Sequence, residues 1–329
     1  MTNKIPVGAT IARTYRFAFG NFINNLAATW IPQAVMLAAG FVIAPLATPA
    51  LLRMRQLPPG YAAGAQNAAA ATAAMQNNLR NLGPILPFLA LIWCITFICL
   101  SAVAAGLTKE ALSPAGERSF RQFPFGAPTW RLAAAFLLTL LALVGLYLAT
   151  TVVGVIGAIL AGVLAANAGA AGKAIVGIVT VLIGLIAFCA IIYAWVRLSF
   201  LVTPSVVAEQ RITLVHGWRL TRGNFWRIVA TGLVVWLPLF ALLAIFVGAL
   251  LGGMPPSHPG VTPAEIAAWS QQVNQRALGL SESYRRFWYV TYPIMVVVNT
   301  VLYGMICGLS AFAYRALVPE PGKQAAEFG

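Results

Sequence analysis

Val215-His-Gly-Trp-Arg-Leu-Thr-Arg-Gly-Asn-Phe-Trp-Arg227 stands directly ahead of a long apolar run. The same order occurs near the N-terminus as Tyr15-Arg-Phe-Ala-Phe-Gly-Asn-Phe22: an aromatic, an arginine, an aliphatic or aromatic residue, two free positions, then Gly-Asn-Phe. Both copies precede an apolar segment of membrane length. The chain therefore reads as two related units, each beginning at such a corner.

Composition sets the environment of those units. With 60% hydrophobic and 9% charged residues and a mean hydropathy of +0.84, the 329 residues lie outside the range of soluble globular chains and describe a polytopic membrane protein. Lys and Arg number 21 against 7 acidic residues, all of them Glu. These cations sit in short connections beside apolar spans, where anionic lipid headgroups are the natural partner. No basic face with interleaved stacking aromatics lies outside the membrane, so nucleic acid is not an expected partner. Cys94, Cys99, Cys189 and Cys307 all fall inside apolar runs without a C-x-x-C, which gives neither a disulfide framework nor a zinc site.

The periodicity predicts an interfacial helix over 6–24, with Val7, Ile11, Ala18 and Phe22 on one stripe and Arg13 and Arg16 opposite. A first span over about 26–47, expected to be retained and not cleaved as a leader, carries Trp30-Ile-Pro32. An outer loop at 51–83 is expected to hold an Ala-rich helix. The second span covers 84–107 and leads into a basic connection at 113–129. From Leu132 to Phe200 the chain is apolar for 69 residues, too long for one crossing, and the segment 167–173 is where it can turn. The third span carries Gly154, Ala158, Gly162 and Ala166 at intervals of four, a ladder that lets another helix approach closely. A second interfacial helix follows Pro204, with Val207, Leu214, Trp218 and Phe225 on one stripe and Arg211, Arg219, Arg222 and Arg227 opposite. The fifth span, 228–251, contains Trp236-Leu-Pro238, echoing the first. In the next outer loop, Thr262-Pro-Ala-Glu265 is a capping box ahead of Ile266, Trp269, Val273 and Leu280 at helical spacing. The sixth span is 288–313.

The expected fold is thus all-α: six transmembrane helices, interfacial amphipathic helices and a parallel internal repeat in a single integral membrane domain, 1–329. The repeat units are 6–108 and 205–315, flanking a central hairpin at 130–203. An even number of spans separates the copies, so they share one orientation. The connections on the side of the termini hold 14 Lys and Arg against 7 on the other side, which places both termini in the cytoplasm.

Catalysis needs a nucleophile, an acid and base pair, or a metal with suitably spaced partners. His216 and His258 fall on opposite sides of the predicted membrane, and no such set exists, so no enzyme activity, cofactor or metal is expected. Within the spans, Gln33 and Asn299 are the strongly polar residues, each explicable by one interhelical hydrogen bond; a cavity lined by them and Tyr303 would point to transport. Arg197, at a span end, is expected to reach the interface along its aliphatic stem. The candidate headgroup-binding residues are Arg16, Arg219, Arg222 and Arg227. The outer-loop residues Ile266, Trp269 and Val273 are candidates for a surface that meets a membrane-protein partner or a second copy.

The stretch Val196-Arg-Leu-Ser-Phe-Leu-Val-Thr-Pro-Ser-Val-Val-Ala-Glu209, followed by 217–227, resembles the membrane domain associated with bacterial glycerophosphoryl diester phosphodiesterases. It is similar also to bacterial multi-span inner-membrane proteins that have only this domain. The resemblance is sharp over about 30 residues. It implies fold and location but not phosphodiesterase activity, because in those enzymes chemistry belongs to a soluble barrel whose metal-binding carboxylates and histidines have no counterpart here. What it implies is a non-enzymatic inner-membrane protein acting through lipid or protein contacts, with a transporter or flippase-like protein for an apolar or lipidic substrate as the alternative.

Overall fold

The computed structural model describes residues 4–55, 85–112, 126–166, 169–212, 214–251 and 286–318, with scattered positions at 76, 80, 83 and between 262 and 279. Among these the chain is helical and contains no strand. Helix α1 (Val7–Tyr15) starts behind Pro6, whose extended backbone and missing N–H suit a helix entry, and Pro6 O accepts the Thr10 N–H at 2.9 Å. A π-helical turn (Arg16–Gly20) and the single turn residue Asn21 lead into α2 (Phe22–Arg55). Then come α3 (Leu86–Leu112), α4 (Ala127–Ala166), α5 (Ala170–Ser199), α6 (Val202–Glu209), α7 (Leu214–Leu220), α8 (Phe225–Leu251) and α9 (Trp288–Leu317).

Among the described residues, five helical stretches are long and apolar enough to cross a membrane: Phe22–Ile43, Leu86–Leu112, Ala127–Val163, Gly172–Glu209 and Trp288–Leu317. The expected fifth span coincides with α8, of which Phe225–Pro238 is a shorter apolar stretch. The turn expected at 167–173 is present: α4 stops at Ala166, Gly169 is extended, and its carbonyl accepts the Lys173 N–H that opens α5. Of the outer loop expected at 51–83, residues 56–82 lie outside the described residues except positions 76 and 80, which are helical; the basic connection at 113–125 and the tail from 319 also lie outside them. Helix α2 continues to Arg55, beyond the expected loop start. At 40 residues, α4 spans about 60 Å, twice the hydrocarbon thickness of about 30 Å.

The core lies at one end of the bundle, the end that carries the N-terminal segment and the close of α9. Buried clusters join Ile5, Leu201, Ile228 and Tyr314; Ala105, Leu132 and Val206; Ala18, Val235 and Leu309; and Ala28, Val103, Leu107 and Cys307. Most of these residues stand towards the helix ends that meet there. The far halves of α4 and α5, by contrast, expose most of their Val, Leu and Ile side chains.

Two interfacial expectations are corrected. The second element is not one helix: Gln210 adopts a left-handed backbone (φ 52°) and ends α6, so Val207 lies on a different helix from Leu214 and Trp218, and Phe225 on a third. Moreover α6 is no lipid-facing surface helix, because Val202 through Val206 are all buried where α3, α4 and α9 converge. The first element does contain a helix, and Arg13 and Arg16 are exposed. Its most buried positions, however, are Thr10, Thr14, Phe17 and Ala18, turned against α8 and α9, whereas Val7, Ile11 and Phe22 are half-buried.

Small residues on α9 make that contact possible. A Cβ added at Gly308 would lie 2.9 Å from Phe17 Cδ1, and one at Gly304 would lie 3.3 Å from Ala18 Cα. The ladder that lets helices approach is therefore Gly304-x-x-x-Gly308, one turn apart. At Gly154 and Gly162 an added Cβ would meet nothing within 4 Å, so among the described residues no helix uses the ladder expected on the third span.

Candidate functional site at the inner corner

The N-terminal segment is pinned to the second Gly-Asn-Phe corner. The Ile5 N–H donates to Asn224 Oδ1 at 3.2 Å, and Arg227 Nη1 donates to the Ile5 carbonyl at 2.9 Å. Ile5 is fully buried, so both backbone groups need these partners. Arg227 is thereby partly committed to structure. The other three headgroup candidates, Arg16, Arg219 and Arg222, are exposed, and among the described residues none of them forms an ion pair.

The two corners are built differently. In the second, the turn Thr221–Asn224 separates α7 from α8 and holds Gly223 at φ 81°, a backbone that L side chains rarely adopt. In the first, Gly20 closes the π-helical turn without a left-handed backbone, and an added Cβ would meet Arg16 Cγ at an ordinary 3.7 Å. Gly223→Ala is accordingly expected to lower stability by about 1–2 kcal/mol, the cost of a left-handed non-glycine residue, and Gly20→Ala to change it little. Denaturation of the two purified variants side by side checks this; equal losses would contradict the assignment of the break to Gly223.

Arg197 is the residue that sequence reasoning placed wrongly. Its guanidinium does not reach for the interface; the residue is 6% exposed. Nε donates to Thr221 Oγ1 at 3.0 Å, Nη1 to Tyr193 Oη at 2.7 Å, and Nη2 to the Trp218 carbonyl at 2.6 Å. The cation also stands 4.0 Å from the centroid of the Trp218 ring and 5.2 Å from that of Tyr193. Tyr193 packs on Phe225 as well, with centroids 4.9 Å apart. One arginine at the end of α5 thus ties down both α7 and the start of α8. The available signal was the aromatic at i−4, Tyr193, which lies on the same helix face.

A second polar knot lies nearby. Glu209, at the end of α6, accepts the Tyr314 hydroxyl at 3.0 Å, and His216 Nε2 on α7 lies 3.1 Å from the same carboxylate oxygen. The knot links α6, α7 and α9 across the break at Gln210. His216 is half-buried here. Glu110 is buried on α3. His258 lies outside the described residues. Among the described residues no three of His, Cys, Asp and Glu gather as a metal site would need.

Around this corner the surface is aromatic and basic. Phe19, Trp130 and Trp226 are exposed beside Arg16, Arg131 and Arg227 respectively, the pairing that anchors a helix end at headgroup level.

Elsewhere, Gln33 is buried and donates to Thr300 Oγ1 at 3.2 Å, so its partner is the neighbour of Asn299. Asn299 and Tyr303 are half-buried. A cavity of about 670 Å³ opens instead between α4 and α5, lined by Gly154, Gly157, Ala158, Val179 and Ile183 among others. Gly162 and Ala166 are exposed further along α4. In the outer loop the capping box forms as predicted: Thr262 N–H donates to Glu265 Oε2 at 2.8 Å and Glu265 N–H to Thr262 Oγ1 at 3.3 Å. Trp269 and Val273 are half-buried there, and Ile266 lies outside the described residues. The chain matches no protein-family model, no curated protein and no solved structure.

Proposed function

We propose that the chain is a non-enzymatic inner-membrane protein with six spans and cytoplasmic termini that acts by holding anionic lipid, and through it or beside it a membrane-protein partner, at its inner corner. The observation that carries this reading is the exposure of Arg16, Arg219 and Arg222 at the densely packed end of the bundle, with Phe19 and Trp226 beside the two Gly-Asn-Phe corners. A cation near an anionic surface contributes about 1 kcal/mol, so three exposed arginines together favour anionic over zwitterionic lipid substantially. The bonds of Arg197 to Thr221 and the Trp218 carbonyl fix the backbone that carries Arg219 and Arg222.

The internal repeat belongs to the same proposal. In each unit a Gly-Asn-Phe corner opens a long apolar helix, α2 in the first and α8 in the second, which supports two equivalent units in one orientation. The resemblance of 196–227 to the phosphodiesterase-associated membrane domain agrees with this location and with the absence of chemistry of its own.

Substituting Arg16, Arg219 and Arg222 together by Gln, with Arg227 kept because it ties Ile5, is expected to reduce the anionic lipid that co-purifies with the protein, measured by lipid mass spectrometry at constant recovery. Unchanged lipid content would refute the reading. The apolar cavity between α4 and α5 favours a second reading, a transporter or flippase-like protein for a lipidic substrate. Lipid scrambling by the reconstituted protein would give it precedence.

A further inference from the structure

The face that α2 turns towards α9 is polar. Asn25, Thr29 and Gln33 follow one another at intervals of four and are all buried, as is Thr300 opposite them. Thr29 Oγ1 lies 3.0 Å from Thr300 Oγ1, Gln33 Nε2 donates to Thr300 Oγ1, and Asn25 Nδ2 donates to the Phe17 carbonyl at 3.0 Å. These contacts leave two side-chain oxygens, Asn25 Oδ1 and Gln33 Oε1, buried with no hydrogen-bond partner among the described residues.

Neither can be relieved by turning the amide over. Phe17 O accepts only, so Asn25 must present its nitrogen there and its oxygen elsewhere. For Gln33, the bonds order themselves in one direction: Gln33 N–H to Thr300, Thr300 O–H to Thr29, and Thr29 O–H to the Leu26 carbonyl at 3.4 Å. Reversing Gln33 would merely exchange an orphaned oxygen for an orphaned nitrogen. A buried polar atom without a partner costs about 1–3 kcal/mol, and two such atoms on one helix face call for an occupant that donates hydrogen bonds.

Position defines the route. Asn25 and Gln33 are about 12 Å apart along the helix, and Gln33 lies about 16 Å beyond Phe22, near the middle of a hydrocarbon layer of about 30 Å. The polar track thus runs from the inner corner, where Asn25 meets Phe17, to the depth of the membrane centre. We propose that it is hydrated: Asn25 Oδ1 and Gln33 Oε1 each accept from a water molecule admitted at the inner corner, which makes the α2–α9 contact a site for small neutral hydrogen-bond donors instead of a dry seam. This rests on the membrane setting of the bundle but not on lipid binding by the arginines.

Solid-state NMR with polarisation transferred from water, on the wild-type protein in bilayers with labelled Gln, Asn and Ala, tests it. The expected result is rapid transfer to the Gln33 and Asn25 carboxamides and slow transfer to the dry core methyls of Ala102 and Ala135. The Gln33 signal is identified by its loss in Gln33→Leu, or in Gln33→Met if the first variant folds poorly. Transfer to both carboxamides as slow as to Ala102 would overturn the proposal, and rapid transfer in the wild type together with unchanged lipid content in the arginine variant would leave it standing while sinking lipid binding.

Discussion

Replacing Arg197 by Leu is expected to destabilise the protein by at least about 3 kcal/mol, the largest loss for any single substitution in the inner corner. Arg197 donates three charge-assisted hydrogen bonds, each worth roughly 1.5–3 kcal/mol, and their loss is only partly offset by the apolar side chain that replaces it. The Trp218 carbonyl and the Thr221 hydroxyl lose a donor together, and Trp218 loses the cation over its ring. Arg197→Lys is expected to fall between, since an ammonium keeps the charge but cannot fan out to three partners in one plane. Equilibrium unfolding in mixed detergent micelles measures both variants. A loss below about 1 kcal/mol for the Leu variant would restore the reading in which this arginine is a solvated side chain at the end of its span.

Gly308→Leu is expected to cost about 2–3 kcal/mol, because a side chain there must displace the Phe17 ring from α9. Phe17 is held on its other edge by Phe312, with centroids 5.9 Å apart and planes nearly perpendicular, so it has little room to retreat. Gly154→Leu serves as the contrast: among the described residues nothing lies within 4 Å of an added Cβ there, and the change is expected to leave the stability of the single chain within about 0.5 kcal/mol. The same denaturation series measures both. If Gly154→Leu proved the more damaging, the close helix contact would lie on α4, as the four-residue spacing on the third span predicts.

These two residues show where the sequence was legible and where it was not. Length and hydropathy suffice for the helical crossings, because a run such as 132–200 cannot cross a bilayer once and must turn where Gly and Asn gather. The capping box at Thr262 was legible because it is entirely local. Which face of each span turns inward was not, since lipid and protein interior are alike apolar and the hydrophobic pattern carries no contrast between them. The inward faces are marked by small and hydroxyl-bearing residues: Thr10 and Thr14 on α1, Asn25 and Thr29 on α2, Thr300, Gly304 and Gly308 on α9. Reading those in place of the Val7–Ile11 stripe would have found the α1–α9 contact. Gly304-x-x-x-Gly308 was visible as a motif, but so was the ladder from Gly154 to Ala166, and only the fold distinguishes the one that another helix meets. The burial of α6 and Arg197 depends on helices from distant parts of the chain meeting there, which no local pattern encodes.

The most direct test of the account is native mass spectrometry of the wild-type protein released gently from its own membrane, with bound lipids and proteins recorded together. The account predicts anionic lipid retained on the protein in excess over its share of that membrane, with or without a stoichiometric protein partner. Bound lipid in the same proportions as the surrounding membrane, on a chain without a partner, would contradict it.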